Sequence, residues 1–412
     1  MMESNLEKSI INFKNWIKEY EWDWDKKDRF YSNRGPLEKE VFNTESYEDA
    51  EIFTRELVQN ALDAKVEYNN KPVVLNLEII DFSISPDRRS IYNQLINIDI
   101  LKLLEDSKNI RKGFSPTYKA LKISDFNTTG LNGSVIDDNS NWYKYFIKIG
   151  NLTDLSKQGK LGCANLGKIA VWKSSNLWMV FARSCIGDKK FRFQGRCLRD
   201  DDTPDKKNYK IINSCDVFFR KKDKEDVEID NDRNSDLSNL LYLDHRKNTG
   251  TDFIFPEFKT ESLSKDEIIK FAIKNWFKAI AENRIKIDIF GEQINSESYK
   301  GLIQKYGTNH PDLDEDVIDF AIDASNENCD RQYTLKKSNS FDKYRRRSLS
   351  KDFFEDFNID EKLLIKSIQK EGKHIQIKVP VIIKNAKGVT FENDYFLISL
   401  KMRTTKNKLS TF

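Results

Sequence analysis

Glu56-Leu57-Val58-Gln59-Asn60-Ala61-Leu62-Asp63-Ala64 is the stretch from which the rest of the chain is read. It lies in a helical pattern from Tyr47 to Tyr68, in which Phe53, Leu57, Ala61 and Ala64 share one stripe and Pro72 closes the run. At 3.6 residues per turn, Glu56, Asn60 and Asp63 leave the helix on one face beside that stripe. Such a row can serve a nucleotide: the Asn60 amide oxygen suits a hard Mg2+ ion shared with phosphates, and Glu56 suits a proton from water. For the trio taken alone, a solvated helix face is the more ordinary reading.

Outward from this helix, Val73 to Ile80 alternates as a strand, Asp99 to Lys112 is helical, and Ala120 to Ser124 is a second strand. The second strand runs into Asp125-Phe126-Asn127-Thr128-Thr129-Gly130-Leu131-Asn132-Gly133. An Asp at a strand end before such a turn presents a carboxylate acceptor to an exocyclic amine such as that of adenine; an Asx-type turn is the other reading. Gly159-Lys160-Leu161-Gly162-Cys163-Ala164-Asn165-Leu166-Gly167-Lys168 is rich in residues that tolerate left-handed backbone. Its amides can turn inward around an anion, with Lys168 adding charge. A P-loop is rejected for this run, because Ile169 stands where a hydroxyl must reach magnesium and Thr153 to Lys160 is too polar for the preceding buried strand. Asn248-Thr249-Gly250-Thr251-Asp252-Phe253-Ile254-Phe255 puts a Gly-Thr pair at the head of a further strand.

In this order the four segments resemble the Bergerat-fold ATPases of the GHKL superfamily, over about Tyr47 to Ile289. The likeness is to the MutL, MORC and heat-shock-chaperone branch. Sensor kinases fit poorly, since the first histidine, His245, lies behind the lid. The resemblance implies an α+β fold: a Bergerat-type α/β sandwich with helices layered on a mixed, mainly antiparallel sheet, then a smaller transducer-like α/β domain. ATP and Mg2+ are the implied ligands. Glu56 is the implied general base, Asn60 the Mg2+ ligand, Asp63 a support of the adenine and phosphate pocket, and Asp125 the reader of adenine. Asn127 and Gly130 belong to the turn after Asp125. Gly162, Asn165, Gly167 and Lys168 belong to the phosphate lid, and Thr251 matches a threonine that supports Asp125 through water. Asn127 and Asn165 stand where the family has glycine, and the turn carries one extra residue before Gly130. Asn is the side chain that best tolerates positive φ after glycine, so both loop shapes are expected to survive, with lid closure and turnover affected more than binding.

The 412 residues, 38% apolar and 12% aromatic, are enough for two cores. Lys+Arg 69 against Asp+Glu 66 leaves a charge of +3, so any nucleic-acid contact is a local patch. Lys336, Lys337, Lys343, Arg345, Arg346 and Arg347 form such a patch, or an exposed loop. Cys163, Cys185, Cys197, Cys215 and Cys329 are odd in number and scattered, which fits a reducing interior. With a polar start and no long apolar run, the chain is expected to be cytoplasmic and free of the membrane.

Three regions are expected: an N-terminal arm over 1–39, the ATP-binding domain over 40–295, and a transducer-like or partner-binding domain over 296–412. Lys221 to Asp236 reads as a solvated loop, Ser264 to Asn283 as a helix and Arg284 to Ile289 as a strand behind it. Further on, Glu361 to Lys370 reads as a helix, Ile375 to Ile383 and Tyr395 to Met402 as strands, and Lys406 as a solvated tail residue or, by the same resemblance, a candidate phosphate contact. A transducer fold would be incomplete at Phe412, leaving an abbreviated domain or one that a partner completes. The expected function is a slow ATPase that acts as a nucleotide-gated, homodimerising clamp or switch, with DNA or protein as partner, in bacterial DNA maintenance or defence against mobile DNA. A non-hydrolysing ATP-binding scaffold or sensor subunit is the alternative.

Overall fold

A computed structural model describes residues 2–24, 48–67, 69–106, 110–137, 139–146, 171–187, 190–198, 216–222, 227–307, 313–325, 329–334, 366, 368, 374–384 and 390–400. The chain divides into two units, Met1–His310 and Pro311–Phe412.

The first unit begins with α1 (Met2–Trp16), β1 (Tyr20–Trp24), α2 (Asp49–Asp63), β2 (Val73–Asp81), α3 (Pro86–Leu95), α4 (Ile98–Asp106), β3 (Lys119–Phe126) and α5 (Asn141–Phe146). It continues with β4 (Met179–Cys185), β5 (Phe191–Leu198), β6 (Asp216–Lys221), β7 (Glu228–Ile229), α6 (Asn231–Leu240) and β8 (Gly250–Pro256). Last come α7 (Lys265–Ala281), β9 (Ile285–Ile289), β10 (Glu292–Ile294) and α8 (Tyr299–Tyr306). Local chemistry sets several of these limits. Ser85 Oγ accepts from Arg88 N at 3.2 Å ahead of Pro86, which starts α3. Ser264 Oγ accepts from Glu267 N at 3.3 Å and starts α7. That helix ends where Asn283 takes φ 54° and Arg284 N donates to Ala279 O at 2.8 Å, which turns the chain into β9.

The ten strands form one sheet in the order β1-β6-β5-β4-β8-β3-β2-β9-β10, with β7 added to β5. Among the described strand pairs of this sheet, only β2–β9 is parallel. This is an α+β architecture on a mixed, mainly antiparallel sheet. Strand alternation gives the sheet two buried faces. Ala120, Met179, Phe181, Phe193, Phe219 and Ile254 pack in one core with Ile10, Phe13 and Trp16 of α1, Ile91 of α3, Leu104 of α4 and Leu237 of α6. Leu75, Leu77, Leu121, Ile123 and Asp125 point the other way. On that side α2 buries Phe53, Leu57, Val58 and Ala61 and pairs Glu51 with Lys274 of α7 at 3.7 Å.

Three expectations change. Within Lys221 to Asp236, the described residues from 227 on are not a solvated loop: Asp230 caps α6 by accepting Arg233 N at 2.8 Å, and Leu237 and Leu240 of that helix are buried. Asn234 and Asp236 of α6 are buried as well, where Asn234 receives Arg183 and Asp236 receives Asn12 of α1. The helix expected over 47–68 stops at Asp63, because Lys65 bridges Thr128 instead. Finally, α1 belongs to the core of the first unit through Ile10, Phe13 and Trp16, and α8 extends that unit past residue 296.

In the second unit, α9 (Glu315–Ser325) precedes a three-stranded sheet of β11 (Arg331–Thr334), β12 (Ile375–Lys384) and β13 (Thr390–Leu400). β11 is parallel to β12, β13 is antiparallel to it, and Gln376 Nε2 donates to Ala324 O at 2.9 Å. No helix among the described residues is long and apolar enough to cross a membrane.

Candidate functional site

Asp125 is the penultimate residue of β3, on the face shared with α2, and it is 8% exposed. Its Oδ1 accepts two bonds, from Thr128 Oγ1 and from Thr251 N at 3.0 Å. Its Oδ2 accepts none among the described residues. Burial raises the Asp125 carboxyl; Arg246 and the bonds from Thr128 and Thr251 oppose that, Asp252 adds to it, and the net shift is upward.

A row of polar side chains continues from it across the sheet. Ser184 stands opposite Thr251 on β8 and opposite Arg192 on β5, and its Oγ lies 3.1 Å from Thr251 Oγ1. This row grips the turn after β3. Leu131 N donates to Ser184 Oγ at 2.8 Å, Arg192 Nη1 donates to Gly133 O at 2.6 Å, and Thr249 Oγ1 donates to Thr128 O at 2.5 Å. Gly130 holds φ 64°, and a Cβ there would run into Cys185 O and Ser184 Oγ. Asn127 holds φ 62° and donates through Nδ2 to Pro72 O at 2.7 Å. The asparagine thus takes the left-handed conformation and ties the turn to the start of β2.

The end of α2 is stitched to the same turn. Thr129 N donates to Ala64 O at 2.8 Å, and Val66 N donates to Asn127 O at 3.2 Å. Asp63 immediately precedes this junction, and Asn60 and Glu56 lie about 4.5 and 10.5 Å further back along the helix axis. Asn60 and Asp63 are exposed, and Glu56 is half-buried. Burial raises the Glu56 carboxyl, Arg55 lowers it, Asp63 raises it further, and the balance is upward. A carboxylate raised in this way is better suited to taking a proton than an ordinary glutamate.

Behind Asp125, Arg246 Nη1 donates to Asp125 O at 2.5 Å and Nη2 to Thr251 O at 2.8 Å. Arg246 also bonds both oxygens of Asp252, at 2.8 and 2.7 Å, and Arg183 bonds Asp252 from the other side. Arg183 is held in turn by Asn234 Oδ1 at 3.2 Å, Ser238 Oγ at 2.6 Å and Asp244 O at 2.6 Å.

The turn and the strands thus bring Asp125, Asn127, Gly130 and Thr251 together, with Asp63, Asn60 and Glu56 continuing from them along α2. Thr251 reaches Asp125 through its backbone N–H, while its side chain turns to Ser184. Gly162, Asn165, Gly167 and Lys168 lie outside the described residues, as do Lys336 to Arg347 and Lys406. Sequence reasoning missed Thr128, Ser184 and Arg246. The Asp-x-x-Thr spacing is a local signal for Thr128; the other two arrive only through strand pairing and a distant loop. A cleft lined by Asp49, Phe53, Lys173, Ser174 and Leu263 opens at the opposite end of α2 and shares no residue with this constellation.

No group of three or more His, Cys, Asp or Glu among the described residues is arranged to hold a metal ion. The exposed Asn60 side chain on α2 carries an amide oxygen of the kind that can ligate a hard cation such as Mg2+. No protein-family model matches the chain, and no curated protein matches it.

Proposed function

We propose that the first unit binds ATP with Mg2+ and hydrolyses it slowly, as a GHKL-type ATPase. The observation that carries this reading is the half-filled Asp125 carboxylate: Oδ1 is taken by Thr128 and Thr251, and Oδ2 is left to accept an N–H from a ligand. The adenine 6-amino group is such a donor. The stitching of α2 to the same turn supports placing sugar and phosphates along Asp63, Asn60 and Glu56. Mg2+, when bound to Asn60 and the phosphates, would neutralise charge that develops in phosphoryl transfer. Glu56, raised by its burial, takes a proton from the attacking water.

The finer reading of the fold as a Bergerat-type sandwich belongs to this proposal. Its support is the order of elements: the acidic helix, the strand that carries Asp125 near its end, then the Gly-Thr strand pairing with it. The second unit is read as transducer-like. By the same resemblance, nucleotide-dependent homodimerisation would make the protein a clamp or switch on DNA or on a protein partner, in DNA maintenance or defence. Sizing the protein with and without a non-hydrolysable ATP analogue tests that step.

The site is tested by equilibrium binding of the analogue beside steady-state hydrolysis. Asp125→Ala should abolish binding. Glu56→Gln should keep binding and lose about a hundredfold or more in turnover. Unchanged affinity in the first variant overturns the reading. Binding without hydrolysis in the wild type turns it into the non-hydrolysing scaffold.

A further inference from the structure

The two bonds on Asp125 Oδ1 have a chemical consequence. Thr251 N–H is an obligate donor, and Thr128 Oγ1 bonds the same oxygen. A proton added to this carboxyl therefore goes to Oδ2, the oxygen left open. Protonation changes Oδ2 from an acceptor to a donor, and with it the edge of a ligand that the site can recognise.

Arg246 is placed to decide between the two forms. It is buried, stacks over Phe126 at 4.3 Å, and bonds the backbone carbonyls of both Asp125 and Thr251, the residues that build the acceptor. Asp252 holds it from behind with both carboxylate oxygens. Other charged or titratable groups around Asp125 are Asp252 itself, Arg183 and Asp244 behind it, Tyr145 on α5, and Lys65, which bridges Thr128 just after α2.

We infer that Arg246 is a positioning residue that sets base specificity: it keeps Asp125 an anionic acceptor, so that the site takes a 6-amino purine and refuses a 6-oxo purine. This rests on the ATP-site reading above. Burial pushes the Asp125 carboxyl up, and Arg246 is the largest effect against it. Without the guanidinium the carboxyl rises further. Amine-edge binding is then lost at a higher pH as the solution is acidified, and the carbonyl-edge ligand gains.

The test measures binding of a non-hydrolysable ATP analogue and of its inosine counterpart to the full chain, from acid to alkaline pH, in wild type, R246K, R246M and D125N. The wild type should prefer the adenine form by about tenfold or more, the value of one good hydrogen bond. R246K should keep that preference. R246M should lose it as pH falls and regain it as pH rises, and D125N, whose amide can donate, should favour the inosine form at every pH. A merely structural arginine would weaken both ligands together and leave their ratio flat with pH, which overturns the inference while Asp125-dependent binding stands. Should R246M not fold, an adenine preference persisting in D125N overturns it. A wild type that binds neither analogue removes the site reading and this inference with it.

Discussion

Asp125 and Asp252 lie on neighbouring strands and on opposite faces of one sheet. Both are buried, yet their carboxyls move in opposite directions. Burial raises each of them. At Asp252, Arg246 and Arg183 outweigh it and hold the carboxyl at about 2. At Asp125 the opposing effects of Arg246, Thr128 and Thr251 do not cancel burial, and the carboxyl stays high. The difference lies in bonding. Asp252 is saturated by two guanidiniums under α6, while Asp125 has one oxygen bonded and one open. Charge pairing rather than depth separates a sealed structural acid from one available to a ligand.

The strongest way to break this contrast is to remove each acid in turn. Asp252→Ala leaves two buried guanidiniums without their shared partner and should cost about 3–5 kcal/mol in urea denaturation. Asp125→Ala removes an acid with no bidentate partner and should cost about 1–3 kcal/mol. Equal losses would mean that the two faces do the same job.

Acid titration sharpens the same contrast, because the two shifts have opposite signs. Asp252 has its pKa depressed, so its contribution is present above the ordinary value of 3.8 and is lost as pH falls through it to about 2. Asp125 has its pKa raised, so the folded state binds its proton first, and protonation favours the fold as pH drops toward 3.8. The urea midpoint of the wild type should therefore carry a stabilising component on mild acidification that Asp125→Asn lacks. Superimposable pH profiles would show that Asp125 is not raised.

The two faces also differ in how far they can be read from sequence. The open face is legible because its chemistry is local: Glu56, Asn60 and Asp63 share one helix, and Asp125, Asn127 and Gly130 share one turn. Helical and turn periodicity are enough to line them up. The sealed face is not. Arg183 bonds Asp252 across 69 positions and Asn234 across 51, and Arg246 reaches Asp125 O across 121. The stretch Lys221 to Asp236 looks solvated because the partners that bury Asn234 and Asp236, Arg183 and Asn12 of α1, are distant in sequence. Composition registers the charges but not their pairing.

The smallest effects concern the turn that joins the two faces, where two residues hold almost the same left-handed backbone, Asn127 at φ 62° and Gly130 at φ 64°. They should respond differently. Gly130→Ala adds a Cβ against Cys185 O and Ser184 Oγ in a conformation that alanine resists, and should cost about 1–3 kcal/mol. Asn127→Gly relieves the backbone of a side chain but forfeits the bond to Pro72 O, two terms of about 1 kcal/mol each with opposite sign. Its stability should stay within about 1 kcal/mol of wild type, measured by the same urea series. A larger loss would mean that the Asn127 side chain, rather than its backbone angle, holds the turn against β2. The asparagine would then be a working tether and not a tolerated stand-in for glycine.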